Sequence, residues 1–189
     1  MTNSILKKLF IDVGVGHLNT EAWGREKEFT IIGLEPSTNR YNKLKDSYPG
    51  HLLNVAASDE NGEIVCWEDP KYGVVLVKRP GIHDKFKETI KKSITLDSLS
   101  WEGFVKIHIW ADIEGSELRM LKGATEMLSS GKVKWINLEI RKNSPAKGWA
   151  SSQEVYIFLH NYGFKPDILQ KRLRKKTHRN IIFRLKANR

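Results

Sequence analysis

Apolar runs alternate along this chain with segments whose apolar residues recur at helical spacing. The runs that favour buried strands lie at about 9–13, 29–35, 51–57, 104–111 and 133–140. Between several of them, apolar side chains repeat every three or four residues, which is typical of a helix with one buried face. Because strand and helix signals alternate, the pattern predicts an α/β fold in which helices cover both faces of a mostly parallel sheet.

Helix boundaries are indicated by capping residues at one end and by glycine at the other. The predicted helices run from Ser37 through Tyr48, from Ser116 to Gly131, from Ser151 or Ser152 to Gly163, and, with a thin apolar face, over about 20–27. Their positions between the predicted strands fit helices that pack on the sheet.

Two further patterns predict antiparallel strands. Asn61-Gly62 lies between apolar flanks, which indicates a tight hairpin leading into a strand at 64–67. Residues 164–169 and 180–185 are expected to pair with each other, because both are apolar and a polar loop separates them. The chain is therefore expected to end in an antiparallel strand pair.

The first two predicted strands end in residues that favour a nucleotide-type cofactor. The first ends at Asp12 and is followed by Gly14 and Gly16, and glycines allow a sharp turn and the close approach of a ligand. The second ends in Glu35, about 20 residues further on, where a carboxylate can meet ribose hydroxyls. Asn19 stands where the dinucleotide fingerprint has its third glycine, so the pattern favours an adenosyl cofactor smaller than NAD.

Acidic residues also follow the two later strands. Asp112 and Glu114 come directly after one of them, and Glu139 lies near the end of the next. Because the carboxyl ends of parallel strands meet at one edge of a sheet, these acids are expected to line one crevice. There they are candidates for a base that removes a hydroxyl proton, or for ligands of Mg²⁺ or a similar hard cation. Alternatively, Glu114 and Glu117 only add negative charge to the first turn of the following helix.

The composition is that of one globular domain over 1–189. The chain is 40% apolar, and no stretch approaches the ~20 apolar residues of a membrane span. The N-terminal residues lack the apolar segment of a secretory signal, and the single cysteine, Cys66, excludes an internal disulfide framework. These features predict a cytoplasmic protein without a membrane span.

The net charge of +10 is concentrated at the C-terminus. Residues 165–189 contain ten Lys or Arg side chains and one acid, Asp167. Such a hairpin, at about 164–189, attracts polyanions such as nucleic acid or acidic glycans, or it is a solvated surface that only aids solubility. The sequence favours neither interpretation over the other.

Several segments, taken in order, resemble one known family. They are Asp12-Val13-Gly14, Gly33-Leu34-Glu35-Pro36-Ser37, Asn54-Val55-Ala56-Ala57-Ser58-Asp59 with Asn61-Gly62, Ile94-Thr95-Leu96-Asp97-Ser98-Leu99, and Asp112-Ile113-Glu114-Gly115-Ser116-Glu117 followed by Leu121-Lys122-Gly123-Ala124. This succession, over about residues 9–165, resembles the FkbM-type methyltransferases. The resemblance implies a Rossmann-like domain that uses S-adenosylmethionine to methylate a hydroxyl of a sugar, glycan or natural product.

The resemblance also implies which residues contact the cofactor. These are Asp12, Gly14, Gly16, Glu35, Pro36, Ala57, Ser58 and Asp112. The glycine loop would lie under the methionine part, and Glu35 would bind the ribose hydroxyls. Ala57 and Ser58 would lie beside the adenine. Asp112 would lie near the sulfonium and the incoming hydroxyl.

Trp110 marks a departure from the family pattern. Two residues before Asp112 the family commonly has a lysine, and here the position is Trp110. Its side chain lies on the same strand face as Asp112 in an extended chain. It either packs in the core or stacks on a sugar or a base.

Two other functions fit the same sequence. A methyltransferase guided by the basic segment 165–189 would act on RNA or another polyanion. A non-catalytic basic module whose cofactor pocket has decayed would bind anions without binding the cofactor. Binding of S-adenosylmethionine would distinguish either methyltransferase from the non-catalytic module.

Overall fold

The chain folds into alternating strands and helices in a computed structural model that describes residues 7–16, 22–69, 71, 73–78, 81, 83–141, 151–167 and 178–186. The strands are β1 (Lys8–Val13), β2 (Thr30–Leu34), β3 (His51–Leu53), β4 (Ala56–Ala57), β5 (Gly62–Asp69), β6 (Gly73–Val75), β7 (Lys87–Ile94), β8 (Lys106–Ala111), β9 (Val133–Arg141), β10 (Phe164–Pro166) and β11 (His178–Leu185). The helices are α1 (Thr38–Leu44), α2 (Glu117–Lys122), α3 (Thr125–Ser129) and α4 (Ser152–Asn161), with a 3-10 turn at Leu96–Ser98. The predicted α/β class is confirmed.

The main sheet has the strand order β10-β11-β9-β8-β1-β2-β3. The five neighbouring strands β9, β8, β1, β2 and β3 run parallel to one another. Strand β11 is antiparallel to both β9 and β10. The C-terminal strand pair is confirmed, and β11 makes the sheet a mixed one, with four parallel and two antiparallel strand pairs. Strand order reverses at β1, which has β2 on one side and β8 on the other. Such a reversal opens a crevice at the carboxyl ends of the strands.

A second sheet, with the order β4-β7-β5-β6, was not predicted from the sequence. The expected strand at 51–57 divides between the two sheets, because β3 pairs with β2 whereas β4 pairs with β7. The predicted hairpin at Asn61-Gly62 is wrong, since β4 and β5 both pair with β7 and not with each other. The Asn61 side chain instead accepts hydrogen bonds from the Thr95 amide at 2.8 Å and the Ser98 hydroxyl at 3.2 Å.

The sequence pattern does not predict strand β7, because half of its eight side chains are charged and half are exposed. Ser93 is the one fully buried side chain in this strand, and Ile90 is 60% exposed. Backbone pairing with β4 on one side and β5 on the other places it in the middle of the sheet. A strand held in this way carries no hydrophobic alternation from which it could be predicted.

Three of the four predicted helices are present, two of them with differences. The helix expected from Ser116 to Gly131 divides into α2 and α3 around Gly123, where an added Cβ would lie 2.0 Å from the Ser58 carbonyl oxygen. Ser37 precedes α1, but its hydroxyl donates to Glu68 at 2.8 Å instead of capping the helix. The described part of the expected helix at 20–27 forms turns, and residues 17–21 lie outside the described residues.

Helix α4 begins as its sequence predicts. The Ser151 hydroxyl accepts a hydrogen bond from the Glu154 amide at 3.2 Å, and the Glu154 carboxylate accepts one from the Ser151 amide at 2.7 Å. This reciprocal capping box satisfies two amides that the first turn of a helix otherwise leaves without partners.

Both faces of the main sheet carry a packed core. Leu9 and Ile11 of β1 lie in the larger core, with residues of α2, α3 and α4, whereas Phe10 lies in the smaller core with Leu44 of α1. This alternation follows from the two-residue period of a strand. Helices therefore flank the sheet on both sides, and the carboxyl ends of its parallel strands stay open between them.

Two findings bear on location and partners. Within the described ranges, no helix has the length and apolar character needed to cross a membrane. Residues 168–177 and 187–189 of the basic C-terminal segment lie outside the described residues. The contact of that segment with a polyanion stays a prediction.

Candidate active site

The ends of β1 and β8 meet at Gly14. Its φ is +77°, and an added Cβ would lie 2.3 Å from the Asp112 carbonyl oxygen, so only glycine fits this position. The Gly14 amide donates to the Leu34 carbonyl at 2.9 Å, and the Asp112 amide donates to the Val13 carbonyl at 3.1 Å. These contacts join three strand ends at the point where strand order reverses.

A cavity of about 460 Å³ opens at this junction. Its walls come from the ends of the strands, from α1 and from the second sheet, and comprise Asp12, Val13, Gly14, Val15, Gly16, Leu34, Glu35, Pro36, Arg40, Ala56, Ala57, Val74, Leu76, Trp110, Asp112, Ile113 and Glu114. Most of the residues that the sequence predicts for a cofactor site therefore share one cavity. Ser58 and Glu139 are the two predicted site residues outside this lining.

Glu35 is held in place by the backbone around it. Its side chain is 2% exposed, and its two oxygens accept hydrogen bonds from the Gly16 amide at 2.7 Å and the Ser37 amide at 2.8 Å. Burial raises the pKa of this carboxyl, while the two amides and the nearby Arg40 oppose the rise. Each carboxylate oxygen has a second lone pair, so the fixed group can also accept hydrogen bonds from a ligand.

Asp12 is joined to a residue that sequence analysis placed on a helix face. The Tyr48 hydroxyl donates to Asp12 Oδ2 at 3.1 Å, and both side chains are buried. Burial, followed by the charge and the hydrogen bond of Asp12, raises the pKa of Tyr48 far above its ordinary value, so the phenol stays protonated. Gly33 makes room for the ring, since a Cβ there would lie 2.6 Å from the Tyr48 ring and hydroxyl.

The three predicted catalytic acids come together at the edge of the cavity. Oxygen atoms of Asp112, Glu114 and Glu139 all lie within 4.8 Å of one another. Asp112 is exposed and the other two are half-buried, while Glu114 has a φ of +51°, which is uncommon for a residue other than glycine. Three converging carboxylates are a donor set that fits a hard divalent cation.

Beside these acids lies Glu117, which the sequence analysis left as a choice between a site residue and a helix charge. Its side chain is 4% exposed and accepts a hydrogen bond from the Gly115 amide at 3.1 Å. Burial, reinforced by the charges of Asp112 and Glu114, raises the pKa of Glu117 to about 7. It is therefore a buried acid at the base of the acidic cluster, and not a surface charge on the helix.

Ser58 lies behind the cavity. It is fully buried, and its hydroxyl donates to Asp59 at 3.0 Å, while Asp59 pairs with Arg119 of α2 at 2.6 Å. The Ser58-Asp59 pair thus ties the end of β4 to α2. Of the two residues predicted beside the adenine, Ala57 lines the cavity and Ser58 supports its wall.

The second sheet supplies cavity residues that the sequence analysis missed. Val74 of β6 and Leu76, just after this strand, line the cavity, and the Arg40 guanidinium lies against Gly73. Glu68 of β5 fastens the sheet to the site, because it accepts from the Ser37 hydroxyl and pairs with Lys91 at 2.7 Å. No local signal marks these residues, since their role depends on how two sheets pack.

Comparison with known proteins agrees with this architecture. The profile described as "Methyltransferase FkbM domain" matches residues 12–166. Among solved structures, methyltransferase FkbM from Methylobacillus flagellatus KT is 14% identical with a TM-score of 0.52, and the match covers 94% of this chain and 43% of that chain. At this identity the likeness shows a shared fold. This chain spans less than half of the length of that relative.

A second solved structure is less similar. It is magnesium protoporphyrin IX methyltransferase from Synechocystis PCC 6803 with bound S-adenosylmethionine, at 9% identity and a TM-score of 0.44, covering 96% of this chain and 70% of that chain. Comparison with curated protein sequences gives no significant match. The profile match covers most of the chain, and the residues it spans include the whole cavity. This chain belongs to the FkbM methyltransferase domain family.

Proposed function

We propose that this chain binds S-adenosylmethionine in the cavity and transfers its methyl group to a hydroxyl of a sugar, glycan or natural-product acceptor. The observation that carries the proposal is the Glu35 carboxylate, which the Gly16 and Ser37 amides hold at the end of β2. A buried, hydrogen-bonded carboxylate beside a glycine turn suits the two ribose hydroxyls of an adenosyl group. Family membership supports the same cofactor.

The residues present fit this cofactor in size and chemistry. A cavity of about 460 Å³ lies within the usual range for small-molecule sites. Pro36, Ala57, Val74 and Leu76 give it an apolar wall of the kind that an adenine needs. Gly14 and Gly16 line the cavity with backbone that carries no side chain, which allows close approach of the methionine part.

The acids at the other end of the cavity suit the reacting groups. The cofactor, when bound, supplies an electrophilic methyl group on a positively charged sulfur. Asp112 is an exposed carboxylate in the cavity wall, so it can accept the proton of an acceptor hydroxyl. The site otherwise acts by alignment, since an in-line transfer needs both partners at a fixed distance.

Asp112, Glu114 and Glu139 are also the residues that would hold a divalent cation such as Mg²⁺. A cation there would lower the pKa of an acceptor hydroxyl and balance the charge of the three acids. Glu139 lies outside the cavity lining, so Glu139→Gln separates the two roles. We expect it to weaken Mg²⁺ binding by about tenfold and to leave cofactor affinity within about twofold.

The experiment that tests the proposed function is calorimetric titration with S-adenosylmethionine and S-adenosylhomocysteine. Glu35→Ala should weaken both by on the order of tenfold or more, because it removes charged hydrogen-bond acceptors for the ribose. The matched control is Glu63→Ala, which removes an exposed acid of β5 outside the cavity and should leave both affinities unchanged. Wild-type protein that binds neither compound would overturn the proposal in favour of a non-catalytic module.

A further inference from the structure

Trp110 occupies a position in the cavity that no cofactor role explains. It lines the cavity from β8, two residues before Asp112 and on the same face of the strand. The sequence allows it to be either a core residue or a contact for a bound ring. In the structure it is half-buried, so part of the indole is covered and part borders the cavity.

The covered side of Trp110 rests on a stack of aromatic rings. Trp135 lies against it with ring centroids 5.9 Å apart and planes 30° apart. The stack continues through His108, 5.4 Å from Trp135, to Phe29, 4.9 Å from His108. Arg25 covers Trp135 at 5.8 Å from its ring. Such packing fixes the orientation of Trp110, as a rigid stacking surface requires.

Trp110 also belongs to a row of side chains that crosses the sheet. Asp12 and Asn137 are its register partners on the neighbouring strands, and partners in register share one face. Asn137 is 2% exposed, and its side-chain oxygen has no hydrogen-bond partner in the part of the chain that the structure describes. An amide oxygen buried in this way is uncommon and calls for a donor.

The charges around Trp110 restrict what can stack on it. Asp112, Glu114 and Glu139 cluster next to it, and Asp12 lies beside it in the row. Without a bound cation, these carboxylates repel phosphate groups, and they accept hydrogen bonds from hydroxyls. A flat apolar surface bordered by acceptors therefore suits an uncharged ring that carries several hydroxyls.

We infer that Trp110 is the platform for the methyl acceptor, and that it selects an uncharged pyranose whose ring face stacks on the indole. The inference rests on the proposed function, because it names the acceptor for the same site. Stacking places one hydroxyl of the ring towards Asp112 and leaves others within reach of Asp12, which lines the same cavity.

The test measures ligand binding by saturation-transfer difference NMR on the full chain, with and without S-adenosylhomocysteine. The probes are methyl α-D-mannopyranoside and methyl β-D-glucopyranoside, compared with acyclic sorbitol and with oligo(U). The variants are Trp110→Leu, Trp110→Phe and, as a matched control, Trp67→Leu, which alters a half-buried strand tryptophan outside the cavity. S-adenosylhomocysteine affinity and Tm are measured for each variant in parallel.

We expect saturation of the pyranoside ring protons in wild type, Trp110→Phe and Trp67→Leu. Trp110→Leu should weaken pyranoside binding roughly tenfold while its S-adenosylhomocysteine affinity stays within about twofold. The inference is overturned if sorbitol binds as well as the pyranosides, if Trp110→Leu binds them like wild type, or if a protein that binds S-adenosylhomocysteine binds no pyranoside. Oligo(U) binding that depends on Trp110 would also overturn it, because the platform would then serve a nucleic acid.

The same measurements separate this inference from the proposed function. Loss of S-adenosylhomocysteine binding in wild type, together with pyranoside binding that depends on Trp110, would overturn the proposed function and keep the platform. Cofactor binding without pyranoside binding would keep the proposed function and overturn the platform.

Discussion

Tyr48 donates its phenolic hydrogen to the Asp12 carboxylate across 3.1 Å, and both side chains are buried beneath the glycine turn. The bond joins the end of β1 to the residues that follow α1. It fixes the direction of the carboxylate at the floor of the cavity. The space for the phenol exists because residue 33 is glycine.

Replacing Tyr48 tests how much this bond contributes. Tyr48→Phe keeps the ring and removes the donor, so it leaves a buried carboxylate with one partner fewer. We expect a loss of about 1–3 kcal/mol in the free energy of unfolding, measured by urea denaturation. Tyr41→Phe, which alters a half-buried tyrosine of α1 outside the cavity, is the control and should change stability little. Equal losses in the two variants would contradict the role assigned to Tyr48.

Substitution of Gly14 tests whether the ends of β1 and β8 must approach each other closely. Gly14→Ala adds a Cβ that would lie 2.3 Å from the Asp112 carbonyl oxygen, at a φ of +77°. The positive φ alone costs about 1–3 kcal/mol, and the overlap adds to it. We therefore expect a clearly lower Tm and loss of S-adenosylhomocysteine binding.

Gly103→Ala provides the matched comparison for Gly14→Ala. An added Cβ at Gly103 meets no atom within 4 Å, so the same chemical change should leave Tm and binding close to those of wild type. A Gly14→Ala protein with normal Tm and normal binding would show that the two strand ends do not need to approach so closely.

The buried acid Glu117 should make the free energy of unfolding depend on pH. Because burial raises its pKa to about 7 from an ordinary 4.5, the folded state binds a proton that the unfolded state releases. Its contribution is therefore fully present below pH 4.5 and is lost as the pH rises towards 7 and above, by about 3 kcal/mol in total. Burial also lowers the pKa of His108 to about 4 and raises the pKa of Glu35, so both groups add to the pH dependence of wild type. Urea denaturation of wild type and of a Glu117 variant between pH 5 and pH 8 therefore measures the contribution of Glu117 as the difference between the two slopes.

Glu117→Gln should remove the contribution of Glu117 and so make stability fall less with rising pH than in wild type, because the amide keeps an oxygen for the Gly115 amide and carries no charge at any pH. Glu126→Gln, at an exposed position in the first turn of α3, is the control and should keep the wild-type pH dependence. If both variants keep the wild-type slope, Glu117 is not the titrating group.

The parts of the site that follow strand ends were predictable from the sequence. Gly14, Gly16 and Glu35 stand out because a strand, a turn and an acid follow one another within a short stretch of chain. The acids that follow β8 and the one near the end of β9 were predictable for the same reason, since parallel strands end at a common edge. Their roles in binding and catalysis stay proposals.

The parts that depend on contacts between distant segments were not predictable. Half of the side chains of strand β7 are charged and half are exposed, so its place in a second sheet depends on backbone pairing and leaves no hydrophobic pattern. Val74 and Leu76 reach the cavity only because that sheet packs against the end of β2. Ser37 looks like a helix cap in the sequence, yet its hydroxyl is taken by Glu68, which is distant in the chain.

The α/β class, the glycine turn and the acids at the strand ends follow from local sequence, because each depends on neighbouring residues and on the periods of strands and helices. The pairing of β11 with β9, the Tyr48–Asp12 bond and the approach of three carboxylates to within 4.8 Å arise only in the folded chain. Those features depend on the packing of segments that are far apart in the chain, and local sequence patterns carry no record of such distances.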